Sequence, residues 1–130
     1  MSDRGLVPRL NIIIADADSK VAEHVLTTLR ETGHAVFHAY DLMSAIQLAT
    51  SLNRVDVVLT NTFVVGGPGI ELVHQLRALM PRLPIVYLAS NRLSTPAIEA
   101  ELPPDIPILR EPYPPDEMRN LVLKVVGGAA

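Results

Sequence analysis

The run Leu10-Asn-Ile-Ile-Ile-Ala15, followed at once by Asp16-Ala17-Asp18-Ser19, decides the fold. Its apolar residues are β-branched and continuous instead of alternating, which is how a strand reads when helices cover both faces of its sheet. A central parallel strand is therefore expected, and a parallel neighbour needs a crossover helix. Asp18 and Ser19 supply N-cap chemistry for that helix, in which Val21, Val25 and Leu29 recur at helical spacing until Gly33 stops it.

The same alternation continues outward. Ala35 to Tyr40 reads as a second strand, and Asp41 caps a helix whose Leu42, Ala45, Ile46, Ala49 and Leu52 face the sheet. Val55-Asp-Val-Val-Leu-Thr60 is the third strand, followed by a valine- and glycine-rich loop to Gly69 and a helix marked by Ile70, Val73, Leu76, Arg77 and Met80. Pro84-Ile-Val-Tyr-Leu88 is the fourth strand, with proline at its first position. Thr95-Pro96 opens a helix that must end before Pro103-Pro104, so it is short. Ile106 to Leu109 is the fifth strand, which Pro107 assigns to a sheet edge because proline cannot donate to a ladder. Pro115-Asp-Glu opens the last helix, with Met118, Leu121, Val122 and Val125 on its apolar face.

Five strands alternating with five helices imply right-handed crossovers and a doubly wound parallel sheet, an α/β fold for which an order such as the flavodoxin-like 2-1-3-4-5 is the expectation. The expectation is one domain over 1–130 with an ordered core of about 9–127; a chain of 130 residues can bury a core of its own. Apolar residues make up 48% and charged residues 19%, which places the chain outside the disordered regime. A net charge of −3, with Lys20 and Lys124 the only lysines, gives no electrostatic footprint for nucleic acid. The absence of cysteine rules out disulfides and thiolate zinc sites. Met1-Ser-Asp-Arg-Gly5 has no apolar leader region, and no stretch has the 18 or so apolar residues of a membrane span, so the cytoplasm is the expected compartment, with no membrane partner.

In such sheets chemistry gathers beyond the carboxyl ends of the strands, where strand order reverses. Strand one ends in Asp16-Ala17-Asp18, strand three in Asn61-Thr62, strand four in Ala89-Ser90 and strand five in Arg110-Glu111-Pro112.

Along nearly its full length the chain resembles the CheY-type receiver domain of response regulators. Asp56-Val-Val-Leu-Thr-Asn61 through Gly69-Ile-Glu-Leu72 follows the family's third-strand segment without a gap, and Glu111-Pro112-Tyr113 overlays its Lys-Pro-aromatic turn. The resemblance implies a cis Glu111-Pro112 bond and a strand-end phosphorylation pocket, degenerate here at Asp16, Ala17, Asn61, Ala89 and Glu111. Asn61 stands where the family has its phosphoacceptor aspartate, and a neutral carboxamide forms no acyl phosphate. Of the acidic pair only Asp16 survives, with Ala17 beside it. Asp16 and Asp18 are all that could serve a magnesium ion, and no metal or cofactor is expected. Glu111 replaces the lysine and Ala89 the hydroxyl residue. The aromatic switch of strand five falls on Ile108.

Several residues keep two readings. Asp16 is a ligand or a carboxylate held by backbone amides. Asn61 contacts a partner or secures the loop after strand three. Glu111 pairs with Arg110 or Arg92, or lies near Asp16 and is raised in pKa. Gly66-Gly-Pro-Gly69 lacks a P-loop's Gly-Lys-Ser/Thr ending and is read as a turn. His24, His34, His38 and His74 show no ligand spacing, and neither Ser90 nor Thr60 has a base at hand, so no enzyme is read. The resulting expectation is a phosphorylation-independent signalling module of two-component type, a pseudo-receiver that binds a protein partner: kinase, regulator or output domain. Its partner surface, and the face of any homodimer, is expected where helix four, strand five and helix five meet, with the proline-rich stretch Pro103 to Pro107 opening easily. The alternative is a small-molecule- or nucleotide-responsive domain using the strand-end cleft.

Overall fold

The structure, a computed structural model, describes residues 9–128; the ends of the expected 1–130 domain, including the Met1 to Gly5 start, lie outside the described residues. The elements are β1 (Asn11–Ala15), α1 (Ser19–Arg30), β2 (Ala35–Ala39), α2 (Leu42–Ser51), β3 (Val57–Asn61), β4 (Phe63–Val64), β5 (Gly67–Pro68), α3 (Gly69–Leu79), β6 (Ile85–Ala89), α4 (Pro96–Glu99), β7 (Ile108–Arg110) and α5 (Pro115–Gly128). Five parallel strands form one sheet in the order β2-β1-β3-β6-β7, the doubly wound order expected.

Why β1 reads as an unbroken apolar run is visible in its packing. Ile12 and Ile14 join a core with Ala22, Val25 and Leu29 of α1 and Met118 and Val122 of α5. Ile13 and Ala15 join the opposite core with Ala45 and Ala49 of α2 and Leu72, Val73 and Leu76 of α3. Alternate side chains thus serve two layers, and each large buried aliphatic side chain contributes about 1.5–3 kcal/mol. Asp18 caps α1, its carboxylate accepting from the Lys20 and Val21 amides; Asp41 caps α2 by accepting from Ser44 N at 2.7 Å.

Three local features differ from the expectation. The loop after β3 is not irregular: Phe63 pairs with Pro68 and Val64 with Gly67 in a small antiparallel hairpin, whose turn uses Gly66 at a φ of 102°. Strand β7 begins at Ile108, after Pro107, whose carbonyl accepts from Tyr87 N; it lies at the sheet edge as its proline requires. The proline-rich approach to it is also well tied. Turn bonds run from Leu102 N to Glu99 O and from Ile106 N to Pro103 O, His74 Nε2 donates to Glu101 O, and Arg77 forks onto Asp105 at 2.7 and 3.2 Å.

The four histidines do not converge. His34 is buried, and its Nδ1 accepts from Leu10 N at 3.1 Å, which leaves the neutral ring's proton on Nε2. Burial lowers its pKa from 6.5, against a smaller opposing effect of Asp56. The unfolded chain therefore takes up this proton first, so the stability contributed by neutral His34 is complete above pH 6.5 and declines as pH falls below it. His34→Asn keeps an acceptor but does not titrate. In denaturant titrations at a series of pH values, wild type should lose stability relative to this variant on acidification below pH 6.5; parallel curves would contradict the assignment.

Candidate functional site

The carboxyl ends of β1 and β3 flank the point where strand order reverses, and a cleft of about 260 Å³ opens there. Asp16, Ala17, Asn61 and Glu111 all line it, together with Asp18, Phe63, Ser90, Arg92 and Leu93. Ala89 does not: it is buried in the core beside α2 and α3, and only its carbonyl approaches the site, accepting from Glu111 N at 3.2 Å.

The buried centre of the cleft is a closed pair. Asn61 Nδ2 donates to Asp16 Oδ2 at 2.8 Å, and Asn61 Oδ1 accepts from Thr62 N at 2.6 Å. The other oxygen of Asp16 accepts from Asp18 N at 2.8 Å, while His38 Nε2 donates to the Asp16 carbonyl at 2.9 Å. Burial raises the Asp16 pKa; the Asn61 and Asp18 bonds oppose this. Of the two readings of Asp16, the held carboxylate is therefore the geometry present, and Asn61 does secure the chain leaving β3. Asp18 is occupied as the cap of α1. Glu111 takes neither ion pair: Arg110 forks onto Glu99 at 2.6 and 3.0 Å, and Glu111 Oε1 accepts from Asn91 N at 2.7 Å. Its backbone forms the cis bond expected with Pro112.

This donor set does not fit the divalent ion that the fold family implies. Both Asp16 oxygens already accept hydrogen bonds, Ala17 offers no ligand, and no group of three His, Asp or Glu side chains converges anywhere among the described residues.

Some participants carry no sequence signal. Thr62 looks like an ordinary loop residue, yet its Oγ1 donates to Leu88 O at 3.0 Å and accepts from Ser90 N at 2.8 Å, clasping the ends of β3 and β6. Tyr113 has a φ of 57° and a buried ring whose hydroxyl finds no partner among the described residues. Burial raises its pKa, and Glu111 and Asp16 add to the effect. Ile108 stands beside Tyr87 in register; the Tyr87 ring is fully buried, with its hydroxyl 3.3 Å from Ser94 Oγ. A larger groove of about 750 Å³ lies at the opposite end of the sheet, among Arg77, Pro84, Ile106 and Lys124, away from every residue of the strand-end site.

No protein-family model matches the chain. It is 30% identical over 82 residues to the probable transcriptional regulatory protein TcrX of Mycobacterium tuberculosis, a match covering 63% of this chain and 35% of that protein. The match thus spans about a third of the length of that curated relative. Among solved structures, a response regulator receiver protein from Sinorhizobium medicae superposes with a TM-score of 0.83 at 22% identity, covering 94% of this chain and 98% of the other. A Francisella response regulator receiver domain gives 0.78 at 24% identity over 94% and 100%. A putative response regulator from Chloroflexus aurantiacus gives 0.79 at 24% identity over 92% and 99%. The chain has the fold of response regulator receiver domains.

Proposed function

We propose that the chain is a pseudo-receiver: a signalling module of two-component type that works through protein contacts, without phosphorylation. The carrying observation is Asn61. It sits at the end of β3 on the reversal point, its side chain is a carboxamide, and both of its polar atoms are engaged, with Asp16 and with the Thr62 amide. A carboxamide there supplies no nucleophile, and Asp16 and Ala17 supply no metal site to neutralise a transferring phosphoryl group. Glu111 adds negative charge at the same cleft. Asp16, Ala17, Asn61 and Glu111 are read as a decayed phosphorylation pocket, with Ala89 behind it.

Incubation with acetyl phosphate and magnesium should leave the mass unchanged, and beryllofluoride should produce no chemical-shift changes at the cleft. A labile stoichiometric gain of one phosphoryl group would overturn the reading. The alternative, a small-molecule- or nucleotide-responsive domain, draws less support from the cleft, whose volume of about 260 Å³ lies just under the roughly 300–1,000 Å³ of small-molecule sites.

A further inference from the structure

Among the described residues, four of the six large apolar side chains that are exposed lie on two neighbouring segments at one corner. Tyr40, Met43, Phe63 and Val65 are 52%, 61%, 49% and 38% exposed, and backbone bonds tie the segment of Tyr40 and Leu42 to that of Val65. Leu42 N donates to Val65 O at 2.8 Å, Val65 N to Tyr40 O at 3.4 Å and Ala17 N to Phe63 O at 3.4 Å, while Asp41 and Val65 form a bridge. The β4-β5 hairpin therefore lies across the top of β1 towards β2, pinned underneath by fully buried Val64. Apolar side chains on backbone already fixed in this way lose little conformational entropy on docking, and a contiguous exposed apolar patch marks an interaction site more than scattered residues do.

The surroundings specify the charge of what docks. Asp18 and Glu111 line the cleft that Phe63 borders, Asp41 lies between Tyr40 and Leu42, and Glu71 approaches Gly67 of the hairpin. None of these four carboxylates is in an ion pair among the described residues, and Arg92 is the single cation lining the cleft. At the α4-β7-α5 face, by contrast, Glu99 and Arg110 neutralise each other. A second copy seated on this corner by two-fold symmetry would bring like charges together.

We propose that the corner formed by Tyr40, Met43, Phe63 and Val65 docks a segment of a partner protein that carries apolar anchors beside lysine or arginine side chains. This rests on the protein-contact reading above and names the surface and chemistry of the contact. The anchors seat on the aromatic rings and Val65, and the basic groups meet Asp18, Asp41, Glu71 and Glu111 at the rim, so the association weakens as salt rises.

The test titrates the full chain, labelled with ¹⁵N, with a short helical peptide of leucine and lysine, and separately with its leucine and glutamate counterpart. Saturable shifts should centre on residues 40–43 and 63–67 with the basic peptide alone. Tyr40→Ser combined with Phe63→Ser should weaken binding at least about tenfold. Met43→Ser, at the most exposed position, takes the place of the double variant should that variant unfold. Shifts centred on the α4-β7-α5 face, equal binding of the acidic peptide, or no shifts at all would overturn the proposal. Concentration-dependent corner shifts without peptide would assign the site to a second copy and overturn it too. Phosphoryl labelling tests the underlying reading independently: a chain that stays unlabelled and shows no corner binding loses this surface and retains that reading.

Discussion

Replacing Gly69 with alanine should destabilise the chain by about 3 kcal/mol or more, a loss at the upper end for single substitutions. Gly69 opens α3 where it passes against the end of β3, and its N–H donates to Thr62 O at 2.8 Å. A Cβ at this position would overlap the Asn61 carbonyl oxygen and lie 3.1 Å from Thr60 Oγ1. Neither neighbour can retreat, because Thr60 and Asn61 are buried in the central strand and Thr60 Oγ1 itself donates to that carbonyl. The only relief is to move α3 away from the sheet, which opens the core around Leu72, Val73 and Leu76. Gly127 is the control: a Cβ there meets nothing within 4 Å, and alanine at this position in the last turn of α5 should change stability by no more than about 0.5 kcal/mol, in the stabilising direction. Urea denaturation of the two variants decides it. A Gly69→Ala midpoint within experimental error of wild type would show that the β3-α3 junction is far looser than its hydrogen bonds imply.

How much of this was legible in the sequence depends on the physical signal involved. Periodicity and caps mark long elements well: β1 reads as a buried parallel strand because Ile12, Ile13 and Ile14 serve both layers, and Asp18 and Asp41 announce α1 and α2 by side-chain chemistry that the structure realises. The alternation of strands and helices marks a doubly wound parallel sheet, while the strand order, which crossovers alone leave open, is the expected one, and four of the five pocket residues named at strand ends meet in one cleft. Short-range pairing leaves no such trace. The β4-β5 hairpin is two residues on each side, too short for alternation to register, and Thr62 bridges β3 and β6 through a hydroxyl that any loop threonine carries. The partner of Glu111 was equally hidden, since a backbone amide at Asn91, 20 residues away, competes with nearer arginines only once the chain is folded.

Asn61→Asp should return a carboxylate to the end of β3 without returning phosphorylation. Its Nδ2 now donates to Asp16 Oδ2 at 2.8 Å, so the new oxygen would face an existing carboxylate whose pKa burial already raises. Two carboxylates this close cannot both ionise, and they share a proton whose titration belongs to the pair. A proton-bound pair is a poor nucleophile, and there is no second metal ligand at Ala17 to separate the two charges. Labelling by acetyl phosphate should stay near background. Stability gives a second readout, with a definite sign. The folded pair binds its proton more tightly than the unfolded aspartates, whose ordinary pKa is 3.8, so its contribution is present at low pH and is lost as pH rises through the raised value. The variant should be about 2–4 kcal/mol less stable than wild type at neutral pH and recover much of that loss on acidification. Adding Ala17→Asp and Glu111→Lys supplies a metal ligand and a counter-charge together, so with magnesium the triple variant should label well above the single one. Efficient labelling of Asn61→Asp alone, at equal magnesium, would mean that Asp18 leaves its capping role to complete a metal site, and that the pocket has decayed at one residue only.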